Sequence, residues 1–130
     1  MINQGVKKMY NTCISFYLKA YRIHVYIDTL RALGSPSRIC FMLDNEVSNM
    51  AIVSYNKRDF RSHKVSGDVY SGNHSLEISS FPLCKLVAAR HKWDINRSYR
   101  IIGKVETIEN GQKAVVFNLE KAEIIKDANL

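Results

Sequence analysis

One pattern constrains this chain more than any other: the order strand, short helix, hairpin is written twice, each time with its own start and stop signals. The first copy opens over residues 14–27. Tyr17, Tyr21, Ile23, Val25 and Ile27 fall on one face, with Arg22 and His24 on the other. That period of two, in aromatic and β-branched residues, predicts a strand. The part before Tyr21 either continues the strand or forms an element of its own. Asp28-Thr29 then offers a helix N-cap, Leu30-Arg31-Ala32-Leu33 a turn or two of helix, Gly34 a left-handed cap and Pro36 a stop. These signals lie within about two turns, so the helix is short. Residues 37–43 predict a strand, with Cys40 as a small buried hydrophobe within it. Residues 44–49 predict a polar turn and residues 50–55 the hairpin partner.

The second copy begins after a connector, residues 57–74, that carries Gly67 and Gly72 and predicts a short strand over 64–70. Residues 75–79 alternate as a strand. Phe81-Pro82 opens a helix, because proline is tolerated in the first turn. Leu83, Leu86, Val87 and Ala88 supply its apolar face, and it ends before Trp93. Residues 98–108 predict a strand, with Gly103 as a bulge glycine. Asn110-Gly111 predicts a hairpin turn, since that pair readily takes positive φ, and 113–119 predicts the return strand. Residues 120–125 either extend it or form a short helix.

The fold class that follows is mixed α+β and β-rich, with tandem strand–helix–hairpin units forming a pseudo-twofold, swapped-hairpin-like β-barrel. Pseudo-repeats run over about 20–56 and 75–125. Neither unit is large enough to bury its own apolar face, so both share one core within a single domain, 1–130. Phe41, Leu43, Ile52, Ile101, Val115 and Phe117 are expected in that core, with Trp93 capping it. Residues 1–12 and the tail from Lys126 are expected to be loosely held. An apolar content of 46% with 24% charged residues excludes a wholly disordered chain. No apolar run reaches the length of a membrane-spanning helix, so no membrane partner is expected.

Charge gives the functional signal. The chain carries +7, and the excess is uneven: residues 1–64 hold ten basic and four acidic residues, residues 65–130 nine and eight. A basic half favours a polyanionic partner, because each neutralised phosphate releases counterions. Lys57, Arg58, Arg61 and Lys64 lie within eight residues, flanked by Tyr55 and Phe60, rings able to stack on bases. Lys85, Arg90 and Lys92 offer a matching patch in the second half. The competing explanation is a solvated face whose aliphatic stems cover the core edge.

Catalysis is not expected. His24, His63, His74 and His91 are scattered, and no nucleophile elbow, zinc or phosphate-loop pattern occurs. Cys13, Cys40 and Cys84 are odd in number and widely spaced, which argues against disulfides and for a reducing cytoplasm. No cofactor or metal is implied.

The run from Arg22 to Gly34, ending in Leu33-Gly34 and followed by the hairpin of residues 37–55, resembles the opening of AbrB/SpoVT-type swapped-hairpin proteins. That family includes transcription regulators, MazE-type antitoxins and two-copy MraZ proteins, and the tandem order is most similar to the two-copy case. The chain differs in having Asp28-Thr29 where a proline usually precedes the first helix, and Trp93-Asp94 after the second. The resemblance implies double-stranded DNA as partner and adds Arg22, Arg31 and Arg38 to the candidate contacts. The alternative is a non-enzymatic protein-interaction module that meets an acidic partner. Homo-oligomers fit either expectation.

Overall fold

A computed structural model describes residues 10–126. Of the two readings open for the part before Tyr21, it forms an element of its own: β1 (Cys13–Tyr17) precedes β2 (Arg22–Val25). A 3-10 turn, Leu18–Ala20, and a left-handed Tyr21 (φ 52°) reverse the chain between them. The strands pair antiparallel, with Ile14 opposite Val25 and Phe16 opposite Ile23. All four of these side chains are fully buried, while Tyr21 is turned outward, 44% exposed. Alternation alone carries no mark of a reversal that keeps the same face inward.

The first helix, α1 (Ile27–Ala32), is capped by Tyr26 rather than Asp28 or Thr29. Thr29 is buried inside the helix, where its hydroxyl donates to the Cys13 carbonyl (3.0 Å) and accepts from the Cys13 N–H (2.8 Å). A tertiary bond has taken the hydroxyl that a cap would have used. At the other end the Gly34 N–H donates to Arg31 and the Ser35 N–H to Leu30, with Gly34 at φ 89°. This is the Schellman arrangement that the glycine predicted.

The hairpin of β3 (Arg38–Leu43) and β4 (Asn49–Ser54) closes over a turn in which the Asp44 carboxylate accepts from the Ser48 and Asn49 N–H groups. A two-residue strand, β5 (His63–Lys64), returns beside β3. The strand expected over 64–70 is otherwise a helical turn, α2 (Gly67–Ser71). Its Val69 and Tyr70 lean on the core and the Tyr70 hydroxyl donates to the Pro36 carbonyl, contacts that a flat strand would not provide.

The second copy consists of β6 (Leu76–Ser79), α3 (Phe81–His91), β7 (Ser98–Thr107) and β8 (Lys113–Asn118). A 3-10 turn, Leu119–Lys121, then leads into β9 (Glu123–Ile124). Ser80 caps α3 by accepting from the Leu83 N–H (3.3 Å). Leu86, expected on the apolar face, points outward, and Cys84 takes its place beside Val87 and Ala88. In the β7–β8 turn only Gly111 takes positive φ. Its N–H closes on the Ile108 carbonyl, so one left-handed residue after the turn suffices.

Every pairing is antiparallel, and the sheet runs β5-β3-β4-β8-β7-β1-β2-β6, with β9 added on β7. The result is a nearly closed, strand-rich barrel with mixed α+β content. Equivalent strands of the two copies pair with each other: β2 with β6, and β4 with β8. The short return strands occupy equivalent places, β5 on β3 and β9 on β7. Those four relations express the pseudo-twofold order.

β1 is the added piece. It pairs with β7 up to Ile102, and at Gly103 β7 changes partner to β8. A Cβ on Gly103 would stand 2.5 Å from the Phe117 ring and 2.7 Å from Val115. Close packing, not a bulge, explains this glycine.

One buried cluster draws on both copies, including Ile23, Leu30, Ile52, Ile78, Val87 and Phe117. Ile52, Ile101, Val115 and Phe117 are buried as expected, while Phe41 and Leu43 are only half-buried. Of the first dozen residues, 1–9 lie outside the described part. Thr12 is buried and its carbonyl accepts from the Gly103 N–H, so 10–12 are held by the barrel. Residues 127–130 also lie outside the described part. Among the described residues no helix is long and apolar enough to cross a membrane.

Candidate nucleic-acid interface

β4 ends where the apolar alternation ends, at Ser54, and the following ten residues form an arm back to β3. Tyr55 anchors it: its N–H donates to the Arg38 carbonyl (3.0 Å) and its hydroxyl to the Asp59 carboxylate (2.7 Å). Asp59 organises the tip. It accepts from the Arg61 N–H (2.9 Å) and from the Arg61 guanidinium (3.3 Å), and its carbonyl accepts from the Ser62 N–H and hydroxyl. Arg38 completes the frame by donating to the Ser62 hydroxyl (2.9 Å). An aspartate two residues before the N–H it receives is an ordinary turn-former, so Asp59 and Ser62 could have been read from the sequence.

The frame holds one side chain out. Phe60 lies between the two residues that form the turn and is 93% exposed. The Arg61 guanidinium lies 5.8 Å from its ring centre and 5.5 Å from that of Tyr55. Leaving a phenylalanine in water forgoes roughly 1.5–3 kcal/mol of burial.

Around Phe60 the charge is positive. Lys57, Arg58 and Arg61 are exposed on the arm, and Lys64 on β5 stands directly opposite Arg38 on β3. Like charges in facing positions repel, so an anion that sits between them relieves the strain. Among the described residues, Arg38, Lys57, Arg58 and Lys64 have no carboxylate within ion-pair distance, whereas Arg61 is paired to Asp59. The Tyr55 hydrogen bond, followed by the Arg61 contacts, holds the Asp59 carboxyl below its ordinary pKa, and the same bond raises the Tyr55 phenol. His63, against the Phe41 ring at 5.2 Å, is lowered by burial and contributes no charge at neutral pH.

The structure thus brings Arg38, Lys57, Arg58, Arg61 and Lys64 onto one arm and the strand edge beside it. The other sequence candidates stand elsewhere. Arg22 lies on β2 and is paired with Glu77 at 2.8 Å. Arg31 is half-buried on α1, and no hydrogen bond or ion pair among the described residues joins it to the arm. On α3, Arg90 donates to the Glu46 carbonyl (2.9 Å), about 140° around the helix from Lys85. Lys85 and Lys92 share a groove that Arg90 does not line. Two cations absent from the sequence candidates, Lys19 and Arg97, rim a second groove of about 400 Å³ beside Tyr17. Chain distance hid that pairing.

Cys13, Cys40 and Cys84 are free and buried, and burial pushes Cys13 and Cys84 to about 11. Among the described residues no His, Cys, Asp and Glu side chains cluster as metal ligands would. Comparison with protein-family models, curated proteins and solved structures finds no match to the chain.

Proposed function

We propose that this chain is a duplex-DNA-binding module of gene-control type, with the arm of residues 55–64 as its contact surface. What carries this is the arm's build: four cations without carboxylate partners among the described residues stand on the arm and the strand beside it, and the same arm holds a phenylalanine 93% exposed on a hydrogen-bonded turn. Lys57, Arg58, Lys64 and Arg38 would neutralise phosphates and set the position of the protein. Phe60 would pack against sugars or wedge at a base step, a use of exposed apolar side chains familiar in DNA-bending proteins. The resemblance of residues 22–55 to swapped-hairpin regulators supports the same partner, as does the basic first half of the chain. In this proposal the second copy supplies the barrel wall against which the arm is braced, and Lys85, Arg90 and Lys92 are not part of the contact.

The test is fluorescence anisotropy of a labelled duplex and of the matching single strand, titrated with the intact chain. Saturable duplex binding at about 50 mM salt, weakening steeply with added salt, is expected. Phe60→Ala should weaken binding roughly tenfold without changing the salt dependence. Absence of duplex binding at low salt, or binding equal for wild type and a Lys57→Ala/Arg58→Ala variant, overturns the proposal.

A further inference from the structure

Far from the arm in sequence, α3 and the turn between β1 and β2 enclose a groove of about 480 Å³. That is the size of a site for a bound side-chain cluster or small molecule. Its walls are apolar and unusually open: Tyr21 is 44% exposed, Phe81 49% and Ile95 64%. Tyr21 and Phe81 meet edge to face at 4.7 Å. Trp93 lines the inner end, stacked on Tyr99 at 4.5 Å with an interplanar angle of 13°. Ala88, buried, and Ala89, exposed, also line it, and their small side chains let another backbone come close.

Charge selects what fits. The residues that line the groove include Lys85 and Lys92 and no carboxylate. Lys85 Nζ lies 5.4 Å from the Phe81 ring centre. Lys85 stands on α3 and Lys92, left-handed at φ 55°, caps its end, so the two backbone positions are seven residues and roughly 10 Å apart. Two ammonium groups can take two carboxylates, one more than a monocarboxylate ligand brings. A helix supplies them, because carboxylates seven residues apart on one face are separated by about two turns, with apolar residues three and four positions after the first pointing down between them.

Among the described residues, a second copy of this chain offers no such helix. α1 carries a single carboxylate, Asp28, α2 a single one, Asp68, and α3 none. We infer that the α3 groove docks an acidic amphipathic helix of a partner protein, its carboxylates two turns apart on Lys85 and Lys92 and its apolar face between Phe81 and Trp93. This site does not depend on the DNA proposal.

Trp93 is the sole tryptophan, so its emission reports occupancy directly. The probe is a tryptophan-free synthetic helix with two glutamates seven residues apart and leucines three and four residues after the first. A twin carries lysines in place of the glutamates. The intact chain is expected to bind the acidic helix saturably and the twin at least about tenfold more weakly. Lys85→Glu/Lys92→Glu should invert that preference, and Ala89→Gln should weaken the acidic helix by filling the groove. Inversion keeps the outcome readable, because a misfolded variant binds neither helix. Equal binding of the two helices, no binding below about 1 mM, or an unchanged preference in the double variant overturns the inference. So does a stronger, lysine-dependent response to dodecanoate than to the helix. Duplex binding by the double variant should match wild type, which separates this result from any failure of the DNA proposal.

Discussion

The salt dependence of duplex binding can be worked from the arm's geometry. Four cations stand without carboxylates among the described residues: Arg38, Lys57, Arg58 and Lys64. Each phosphate neutralised on duplex DNA contributes about −0.9 to the slope of log affinity against log salt. Four contacts give a slope of about −3.6, so raising salt from about 50 to about 200 mM weakens binding about 150-fold. Lys57→Ala/Arg58→Ala leaves two contacts, a slope of about −1.8 and a loss of about 12-fold over the same range. Both side chains are exposed and no ion pair holds them, so the melting temperature should stay within about 2 °C. Asp59→Asn gives the opposite sign. Its Oδ1 still accepts from the Arg61 N–H and its amide N–H can donate to the Tyr55 hydroxyl, while the Arg61 charge is released. A fifth contact steepens the slope to about −4.5, a loss of about 500-fold. Anisotropy of a labelled duplex at four salt concentrations, with circular dichroism melts alongside, measures both variants. If the slope in Lys57→Ala/Arg58→Ala lies within about 0.5 of wild type, phosphates do not sit on this arm.

Gly103→Ala should cost about 1–3 kcal/mol, because the new methyl meets fully buried Phe117 and Val115 at 2.5 and 2.7 Å; the urea midpoint should fall while the m-value holds. The pH dependence has a definite sign. Burial holds the His24 and His63 imidazoles below their ordinary 6.5, so the unfolded chain takes up protons first. Their contribution is present above about pH 6.5 and is lost as pH falls through the lowered values. The urea midpoint should therefore drop between pH 7.5 and 5.5, and a flat profile there would refute the assignment. A second decline belongs below about pH 4, where the Asp44 and Asp59 carboxyls, held low by their hydrogen bonds, become protonated. With burial raising all three thiols, a disulfide reagent at pH 8 should label the native chain slowly and the urea-unfolded chain at once.

Elements that rest on local chemistry were legible before any coordinates. Gly34 and Pro36 stop α1, Pro82 opens α3, and the β3–β4 and β7–β8 hairpins stand where turn residues interrupt alternation. Errors arose where a distant partner decided the outcome. Thr29 left the cap to bond Cys13, Val69 and Tyr70 wound into α2 to reach the core, and Leu86 gave its inward place to Cys84. The same division runs through the site. The density of cations over residues 57–64 is a sequence property, but the exposure of Phe60 and the opposition of Arg38 to Lys64 follow from β5 lying on β3. The α3 groove had no sequence signature, because its walls come from a turn near residue 20 and a helix some sixty residues later.

What the chain's order of residues determines alone is a doubled set of strand, helix and hairpin with its positive charge in the first half, since caps, turns and alternation act over a few residues. Which strands meet, which cations converge and which rings are left open were decided only in three dimensions. There, burial of one shared core outweighs local preference wherever the two disagree.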